Sequence, residues 1–489
     1  MRSTALAMLW FLLMGASPVR AQYGDMTGLD ITQTDANYTH APQTAVENWE
    51  DMKFGLRIHW GLYAMVGSDA SWALPHSSLE FRNIYGTLYQ FFNPTDFDAD
   101  GWMDMMAGAG MKYFTITTKH HDGFCLWPTE TWQKSIRLTP QGISRGVGHY
   151  EDYLIHYSIM DTPYRKDIIG ALVGAARRKG LGVSLYYSHI DWHDPAFAWD
   201  PNNWNYDPSF TKASDPQRWQ KFVDQERAQL RELLTRYGKI DLLELDMGWP
   251  KEAHPEIIEV ARMVRELQPD ILIRNRGIGA YGDFYTPEGN IPKGFEKGWP
   301  WQVIYMGGEA FSYLPNDQYK PKEWILESLI DVVSKGGNFE VGFGPMANGA
   351  WPKEIGERLR WVGDWLRVNG EAIYSTRPYT TFAEGQTIRY TRSKDGKTLY
   401  AISLGWPGKT VRLNAVRPDP AMEISMLGVP GKLNWRKEAG QLVIDIPEAL
   451  EDHKPCESAF VLKMTSPHSF APGVAGEEPH RTGGFIKVS

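Results

Sequence analysis

The chain has 489 residues, 42% of them hydrophobic and 22% charged, so it can hold one large domain and a smaller companion. Its net charge of −8 argues against nucleic acid as a partner, and no run of like charge indicates a membrane-surface anchor. The 20 tryptophans stand out, because indole rings suit the flat faces of sugars, although they also fill large cores.

The first 21 residues have the pattern of a secretory signal peptide. An early arginine precedes an apolar run and the triplet Val19–Arg20–Ala21, and the run is too short to span a membrane. We therefore expect a secreted or periplasmic protein whose mature chain begins near Gln22; a buried N-terminal helix is the alternative. Cys125 and Cys456 can form at most one bridge, so they predict neither a zinc site nor a disulfide scaffold.

Strand and helix patterns alternate over roughly 300 residues, which predicts a (β/α)8-like barrel. The expected strands lie at 54–61, 112–121, 181–190, 240–246, 270–276, 301–307 and 338–344. The expected helices lie near 99–109, 165–180, 215–238, 255–269, 323–334 and 353–369. Asp215 and Pro216 suit the N-cap and first turn of the third helix. An open doubly wound sheet is the alternative, but the first strand ends in His59–Trp60–Gly61 rather than a glycine-rich nucleotide loop.

The pattern changes to short β runs around residue 375, as in the pair of strands flanking the turn Lys394–Lys397. We therefore expect a barrel domain over 22–374, a β-sandwich over 375–465 and a loose tail over 466–489.

Polar residues gather where the predicted barrel strands end, which is where barrel enzymes place their active sites. They are Arg57, His59, His120, His121, Asp122, Tyr186, Tyr187, Glu244, Asp246 and Arg276. Asp246 suits the nucleophile of a retaining glycosidase, which needs a second carboxyl about 5 Å away; a helix cap or a salt bridge is the alternative role. The pair His120–His121 suits hydroxyl binding better than metal ligation, because no further well-spaced ligands accompany it; a purely structural histidine pair is the alternative.

Seven segments between Trp49 and Thr376 resemble glycoside hydrolase family 29, the α-L-fucosidases. They read FGLRIHWGLY, KHHDGFCLW, LGVSLYYSHIDWH, RYGKIDLLELDMGWP, GDFYTPE, VVSKGGNFEVGFGP and LRVNGEAIYST. The resemblance implies a retaining exo-glycosidase that acts on glycans without a cofactor. It also implies Asp246 as nucleophile and Glu288 as acid/base. The implied sugar-binding residues are His59, Trp72, His120, His121, one of Tyr186 and Tyr187, Arg276 and Phe311.

Two departures from that family pattern concern the sugar's C6 position. Arg57 and Glu244 replace a phenylalanine and a tryptophan that resemble an apolar wall around the fucose methyl group. We expect these residues to form an ion pair across the pocket and to bind a hydroxyl on C6, as in L-galactose. Such a pocket would reject fucose by roughly 10⁴-fold. The alternatives are that the pair only neutralises itself and fucose still fits, or that another terminal α-L-sugar binds.

A smaller departure is Gly342, where the family often has asparagine; we expect it to loosen a loop contact. Two other functions stay open at this point. One is a catalytically silent sugar-binding module on the same fold, which the retention of both carboxylates disfavours. The other is a metal-dependent barrel hydrolase, which loss of activity with a chelator would reveal.

Overall fold

The computed structural model describes residues 31–75, 77–138, 150–198, 209–295 and 298–473. The predicted signal peptide lies outside these ranges, and so does most of the predicted tail. No helix among the described residues is both long enough and apolar enough to cross a membrane.

The first domain is built on a curled sheet of seven parallel strands. The strands of this domain are β1 (Phe54–Ile58), β2 (Tyr113–Lys119), β3 (Gln133–Leu138), β4 (Tyr150–Ile155), β5 (Gly182–Ser188), β6 (Leu242–Asp246), β7 (Leu272–Ile273), β8 (Gln302–Met306) and β9 (Asn338–Phe343). The central sheet has the order β7-β6-β5-β2-β1-β9-β8, and β3 and β4 form a separate antiparallel pair after β2. Strands β1, β2, β5, β6 and β9 are buried throughout, which explains their nearly continuous apolar runs.

The segment 283–289 fills the gap between β7 and β8. Phe284 forms a parallel bridge to Arg274 on one side, while Tyr285 and Glu288 form parallel bridges to Trp301 and Ile304 on the other. Eight chain segments therefore surround the barrel interior, and the predicted (β/α)8-like barrel is confirmed.

The helices of this domain lie before, between and after these strands in the chain. They are α1 (Gln43–Met52), α2 (Tyr63–Val66), α3 (Leu79–Gly86), α4 (Ala99–Gly108), α5 (Ile168–Arg178), α6 (Pro216–Arg236), α7 (His254–Leu267), α8 (Lys322–Ser334) and α9 (Lys353–Asn369). Helix α6 begins as predicted, because the side chain of Asp215 accepts a hydrogen bond from the backbone N–H of Arg218 at 3.0 Å.

The second domain contains two antiparallel sheets, of five and three strands, as expected for a β-sandwich. Its elements are β10 (Thr376–Glu384), β11 (Ile388–Ser393), β12 (Thr398–Ser403), β13 (Thr410–Leu413), β14 (Glu423–Met426), β15 (Trp435–Glu438), β16 (Gln441–Asp445), α10 (Ala449–Asp452) and β17 (Phe460–Thr465). The sheet orders are β10-β11-β12-β17-β14 and β13-β16-β15.

Three local features differ from the expectations or were left open by them. The strand expected at 270–276 is only two residues long, Leu272–Ile273; Arg274 continues the alignment through a hydrogen bond to Leu243 and an isolated bridge to Phe284. The expected loose tail is attached over its described part, where Ser466 and Gly473 hydrogen-bond to Asp419 and Pro378 at 2.7 and 2.9 Å. Both cysteines are free.

Candidate active site

Asp246 is the last residue of β6 and points into the barrel mouth. Its Oδ2 accepts a hydrogen bond from the Tyr186 hydroxyl at 2.6 Å, and its Oδ1 accepts one from Nη1 of Arg276 at 3.1 Å. A second guanidinium, that of Arg274, lies 3.7 Å from Oδ1. Burial would raise the pKa of Asp246, but the two arginines outweigh burial and hold that pKa well below its usual range. Asp246 is therefore an anion near neutral pH, as a nucleophile must be.

Glu288 lies beside Asp246, on the segment that completes the barrel. Its Oε2 is 2.7 Å from the same Arg276 Nη1 that contacts Asp246. The two carboxylate oxygens are therefore within about 6 Å of each other, close to the separation of roughly 5–5.5 Å in retaining glycosidases. Burial is again outweighed by Arg276 and Arg274, which lower the pKa of Glu288 to about 2, while Asp246 acts in the opposite direction.

The two adjacent histidines both lie in the loop beyond β2, so both can face the site. Their ring centroids are 4.0 Å apart. Ser188 donates to the Ile190 carbonyl at 2.7 Å, so its Oγ lone pairs are left for the Nδ1–H of His121, also at 2.7 Å. Burial lowers the pKa of His121 to about 4, so the ring is neutral, and its bare Nε2 lies 4.0 Å from Asp246. This nitrogen can accept a hydrogen bond from a substrate hydroxyl.

The neighbouring tyrosines of β5 point to opposite faces, as alternation along a strand requires. Tyr186 faces Asp246, whereas the hydroxyl of Tyr187 donates to Gln229 on α6 at 2.7 Å. The structure thus selects Tyr186 as the tyrosine of the site. Tyr187, the other candidate, lies outside it.

Aromatic side chains complete the wall of the site. The ring of His59 stacks on Phe311 at a centroid distance of 4.9 Å, and Trp72 contacts His121 at 5.2 Å. A β-carbon on Gly342 would lie 2.4 Å from Cδ1 of Phe311. The missing side chain of Gly342 makes room for the Phe311 ring, and whether it also loosens a loop contact stays a prediction.

Arg57 and Glu244 form the expected ion pair, one layer deeper in the barrel than His59 and Asp246. Nη2 of Arg57 donates to Oε2 of Glu244, which also lies 3.3 Å from Nη1 of Arg274. The other oxygen of Glu244 accepts a hydrogen bond from Gln302 at 3.1 Å. Glu244 is fully buried and both of its oxygens are engaged, whereas Arg57 is 2% exposed.

The structure adds three residues that the sequence did not single out. Arg274 contacts both catalytic-site carboxylates, Ser188 orients His121, and Glu340 lies 3.1 Å from Nε of Arg57. Burial, opposed by Arg57, raises the pKa of Glu340 to about 7. The sequence contained a signal for Arg274, because it precedes Arg276 by two residues and residues two apart on a strand face the same side. Ser188 and Glu340 had none, since a buried polar residue in a strand is indistinguishable from a structural one.

A metal centre has no obvious place in this arrangement. In the ranges covered by the structure, no group of three or more His, Cys, Asp or Glu side chains is positioned to hold a metal ion.

Comparisons with known proteins agree with this geometry. Residues 28–371 match the family model described as alpha-L-fucosidase, and residues 383–465 match the model described as alpha-L-fucosidase C-terminal domain. Tissue alpha-L-fucosidase of Rattus norvegicus is 28% identical over 448 residues, which cover 85% of this chain and 89% of that protein.

Solved structures give the same result. Alpha-L-fucosidase isoenzyme 1 from Paenibacillus thiaminolyticus superposes with a TM-score of 0.71 at 29% identity, covering 86% of this chain and 99% of that one. Thermotoga maritima alpha-fucosidase in complex with a mechanism-based inhibitor superposes with a TM-score of 0.67 at 26% identity, covering 85% of this chain and 96% of that one. Because the first family model spans most of the chain and the second spans the β-sandwich, this protein belongs to the α-L-fucosidase family of glycoside hydrolases.

Proposed function

We propose that this protein is a retaining exo-glycosidase that removes terminal α-L-fuco-configured sugars from glycans. Asp246 is the nucleophile and Glu288 the acid/base. The observation that carries the proposal is the single nitrogen of Arg276 in contact with both carboxylates, which keeps their nearest oxygens within about 6 Å, short of the roughly 6.5–9.5 Å of inverting pairs.

In the first step, Asp246 attacks the anomeric carbon while Glu288 protonates the leaving oxygen. The ion pair with Arg276 must open before Glu288 can carry a proton near neutral pH, because that pair keeps the pKa of Glu288 at about 2. The Arg276 side chain is 27% exposed, so a bound sugar can draw it away. Substrate binding would then allow Glu288 to take up the proton that it donates.

In the second step, Glu288 removes a proton from water, which attacks the glycosyl ester on Asp246. Esterification removes the negative charge of Asp246, and that charge had been raising the pKa of Glu288. Its loss lowers the pKa of Glu288 and favours the base form that this step needs.

The polar floor of the site supports a hydroxyl on C6 of the sugar, as in α-L-galactose. Nη2 of Arg57 donates to Glu244 and its buried Nε lies 3.1 Å from Glu340, whereas no hydrogen bond of the described residues engages its Nη1. Nη1 of Arg57 is therefore left as a donor for O6, whereas Glu244 has no free oxygen. In this proposal Arg57 contacts O6, and Glu244 orients Arg57.

The nucleophile is tested by chemical rescue. Asp246→Gly should lose at least 10³-fold in kcat on an aryl α-L-fucoside or α-L-galactoside. Added azide should then restore turnover and give a glycosyl azide of inverted configuration, because the small anion occupies the space of the missing carboxylate. Full activity in this variant, or no rescue in a folded one, would contradict the assignment.

The C6 proposal is tested by comparing kcat/KM of the wild type on the two aryl glycosides. We expect the galactoside to be preferred by tenfold or more, since a donor built to bind a hydroxyl is left unpaired by fucose. A preference for the fucoside would make Arg57 and Glu244 an internal ion pair with no role in substrate choice.

A further inference from the structure

Arg274 joins the buried polar layer of the barrel to the reacting carboxylates. Its Nη1 lies 3.3 Å from Oε2 of Glu244 and 3.7 Å from Oδ1 of Asp246, while its Nη2 lies 3.7 Å from Oε2 of Glu288. The residue is 1% exposed. One guanidinium thus contacts three carboxylates, two of which are the proposed catalytic pair.

Arg274 cannot be replaced by Arg276 in this role. Arg276 is 27% exposed and is the cation that a sugar would engage, whereas Arg274 is closed off from solvent. When a substrate takes Arg276, Arg274 is the cation that still contacts both Asp246 and Glu288. Within the described part of the chain, its Nε and Nη2 make no hydrogen bond, so Arg274 acts on these carboxylates as a charge.

Glu244 supplies the fixed contact for Arg274. Gln302 and Thr115 contact Oε1 of Glu244 at 3.1 and 3.4 Å, and Arg57 and Arg274 contact Oε2. A buried carboxylate held on four sides cannot move, so it fixes the guanidinium that it pairs with.

We propose that Arg274 is a positioning residue that keeps the nucleophile Asp246 charged when the sugar engages Arg276, and that Glu244 holds Arg274 in place. The proposal rests on the proposed function. It explains why β6 ends in two inward-facing acids: Asp246 reacts, and Glu244 orients the cation that serves Asp246.

Several charged groups surround Asp246, and a test must separate their individual effects on its pKa. The titratable and charged groups that face it are His59 after β1, His120 and His121 after β2, Tyr186 on β5, Arg274 and Arg276 after β7, and Glu288 on the closing segment. Arg57, Glu244 and Glu340 form the layer beneath. Replacing Arg274 and replacing Glu244 remove charges of opposite sign from these groups.

The test is the pH profile of kcat/KM on the aryl glycoside that the wild type hydrolyses best. The acid limb of this profile is the pH range in which kcat/KM falls as the pH is lowered. Arg274→Met should move the acid limb to higher pH by about one unit or more, because a neighbouring arginine lowers a carboxyl pKa by about 1–3 units. Glu244→Gln keeps an oxygen acceptor for Arg274 and removes an anion, so it should move the acid limb to lower pH or leave it in place. Arg274→Lys keeps the cation and should stay within about half a unit of the wild type.

Opposite shifts from two neighbouring buried residues cannot come from a general loss of structure. Arg265→Met is the matched control, since Arg265 is also buried, at 8% exposed, and pairs with Asp283 at 2.6 Å rather than with the catalytic carboxylates. It should lower stability without moving the limb.

The proposal is overturned if a folded, active Arg274→Met has its acid limb at the same pH as the wild type. It is also overturned if Glu244→Gln moves the acid limb to higher pH. If Arg274→Met does not fold, Arg274→Gln takes its place, because it keeps a donor for Glu244 while removing the charge, and the same upward shift is expected. A wild type without activity on either glycoside would contradict the proposed function instead, and so the two failures are distinguishable.

Discussion

Glu244 and Asp246 show how two carboxylates of one strand acquire different chemistry. Both face inward because they are two residues apart on β6. Glu244 is fully buried among cations and amides, whereas the side chain of Asp246 keeps 10% of its surface exposed at the barrel mouth. Only the exposed acid can meet a sugar, so position along the strand decides which one reacts.

Gly342 gives a prediction at the same scale. Gly342→Ala would place a β-carbon 2.4 Å from the Phe311 ring, which must then leave its stacking position on His59. We expect kcat/KM to fall by roughly tenfold or more, because small displacements of substrate-positioning groups are costly. Steady-state kinetics on the preferred aryl glycoside measures the effect.

The control is the same substitution in a helix. Nothing lies within 4 Å of a β-carbon on Gly356 of α9. Gly356→Ala should leave kinetics unchanged and raise the free energy of unfolding by about 0.5–1 kcal/mol. Unchanged kinetics in Gly342→Ala would mean that Phe311 does not need its observed position.

At the scale of elements, the sequence predicts what is regular and misses what is not. Six of the seven strands of the central sheet are close to their expected bounds, because buried parallel strands are continuous apolar runs. The closing segment 283–289 was missed as a strand, since Gly282–Asp283 and Pro287 interrupt any apolar run. Resemblance, rather than pattern, identified Glu288 there. The spatial pairing of Arg274 with distant carboxylates requires the folded barrel and has no local signature.

Asp215 tests how well a predicted cap accounts for a helix. Its carboxylate satisfies the Arg218 N–H at the start of α6. Asp215→Ala should lower the free energy of unfolding by about 1 kcal/mol, whereas Asp215→Asn keeps an acceptor and should cost far less. Urea unfolding of both variants gives the comparison, and equal losses would mean that the side-chain acceptor is not what stabilises the helix start.

At the scale of the whole molecule, the barrel and the β-sandwich share a core. Tyr400, Ile402 and Val461 of the second domain belong to the same buried cluster as the barrel side chains. Trp365 on α9 donates its indole N–H to the Ala459 carbonyl at 2.8 Å across this contact. We infer that the second domain is part of the folded unit.

Calorimetry should therefore record one unfolding transition. Trp365→Ala should lower the free energy of unfolding by about 3–5 kcal/mol, since the side chain is 3% exposed. The matched control is Trp132→Ala, because Trp132 is 56% exposed and its loss should change stability by no more than about 0.5 kcal/mol. Two separate transitions, with only one shifted in Trp365→Ala, would show that the domains unfold independently.

The way the barrel closes has a consequence for how this enzyme can diverge. Asp246 belongs to a strand that pairs in register with both neighbours, whereas Glu288 lies on a segment attached by isolated bridges. Insertions or deletions near Glu288 disturb few ladder hydrogen bonds, while the same changes near Asp246 would shift a whole strand to the wrong face. The proposed proton donor, Glu288, is thus the part of the pair that evolution can relocate at least structural cost, and the proposed nucleophile, Asp246, is its fixed reference point.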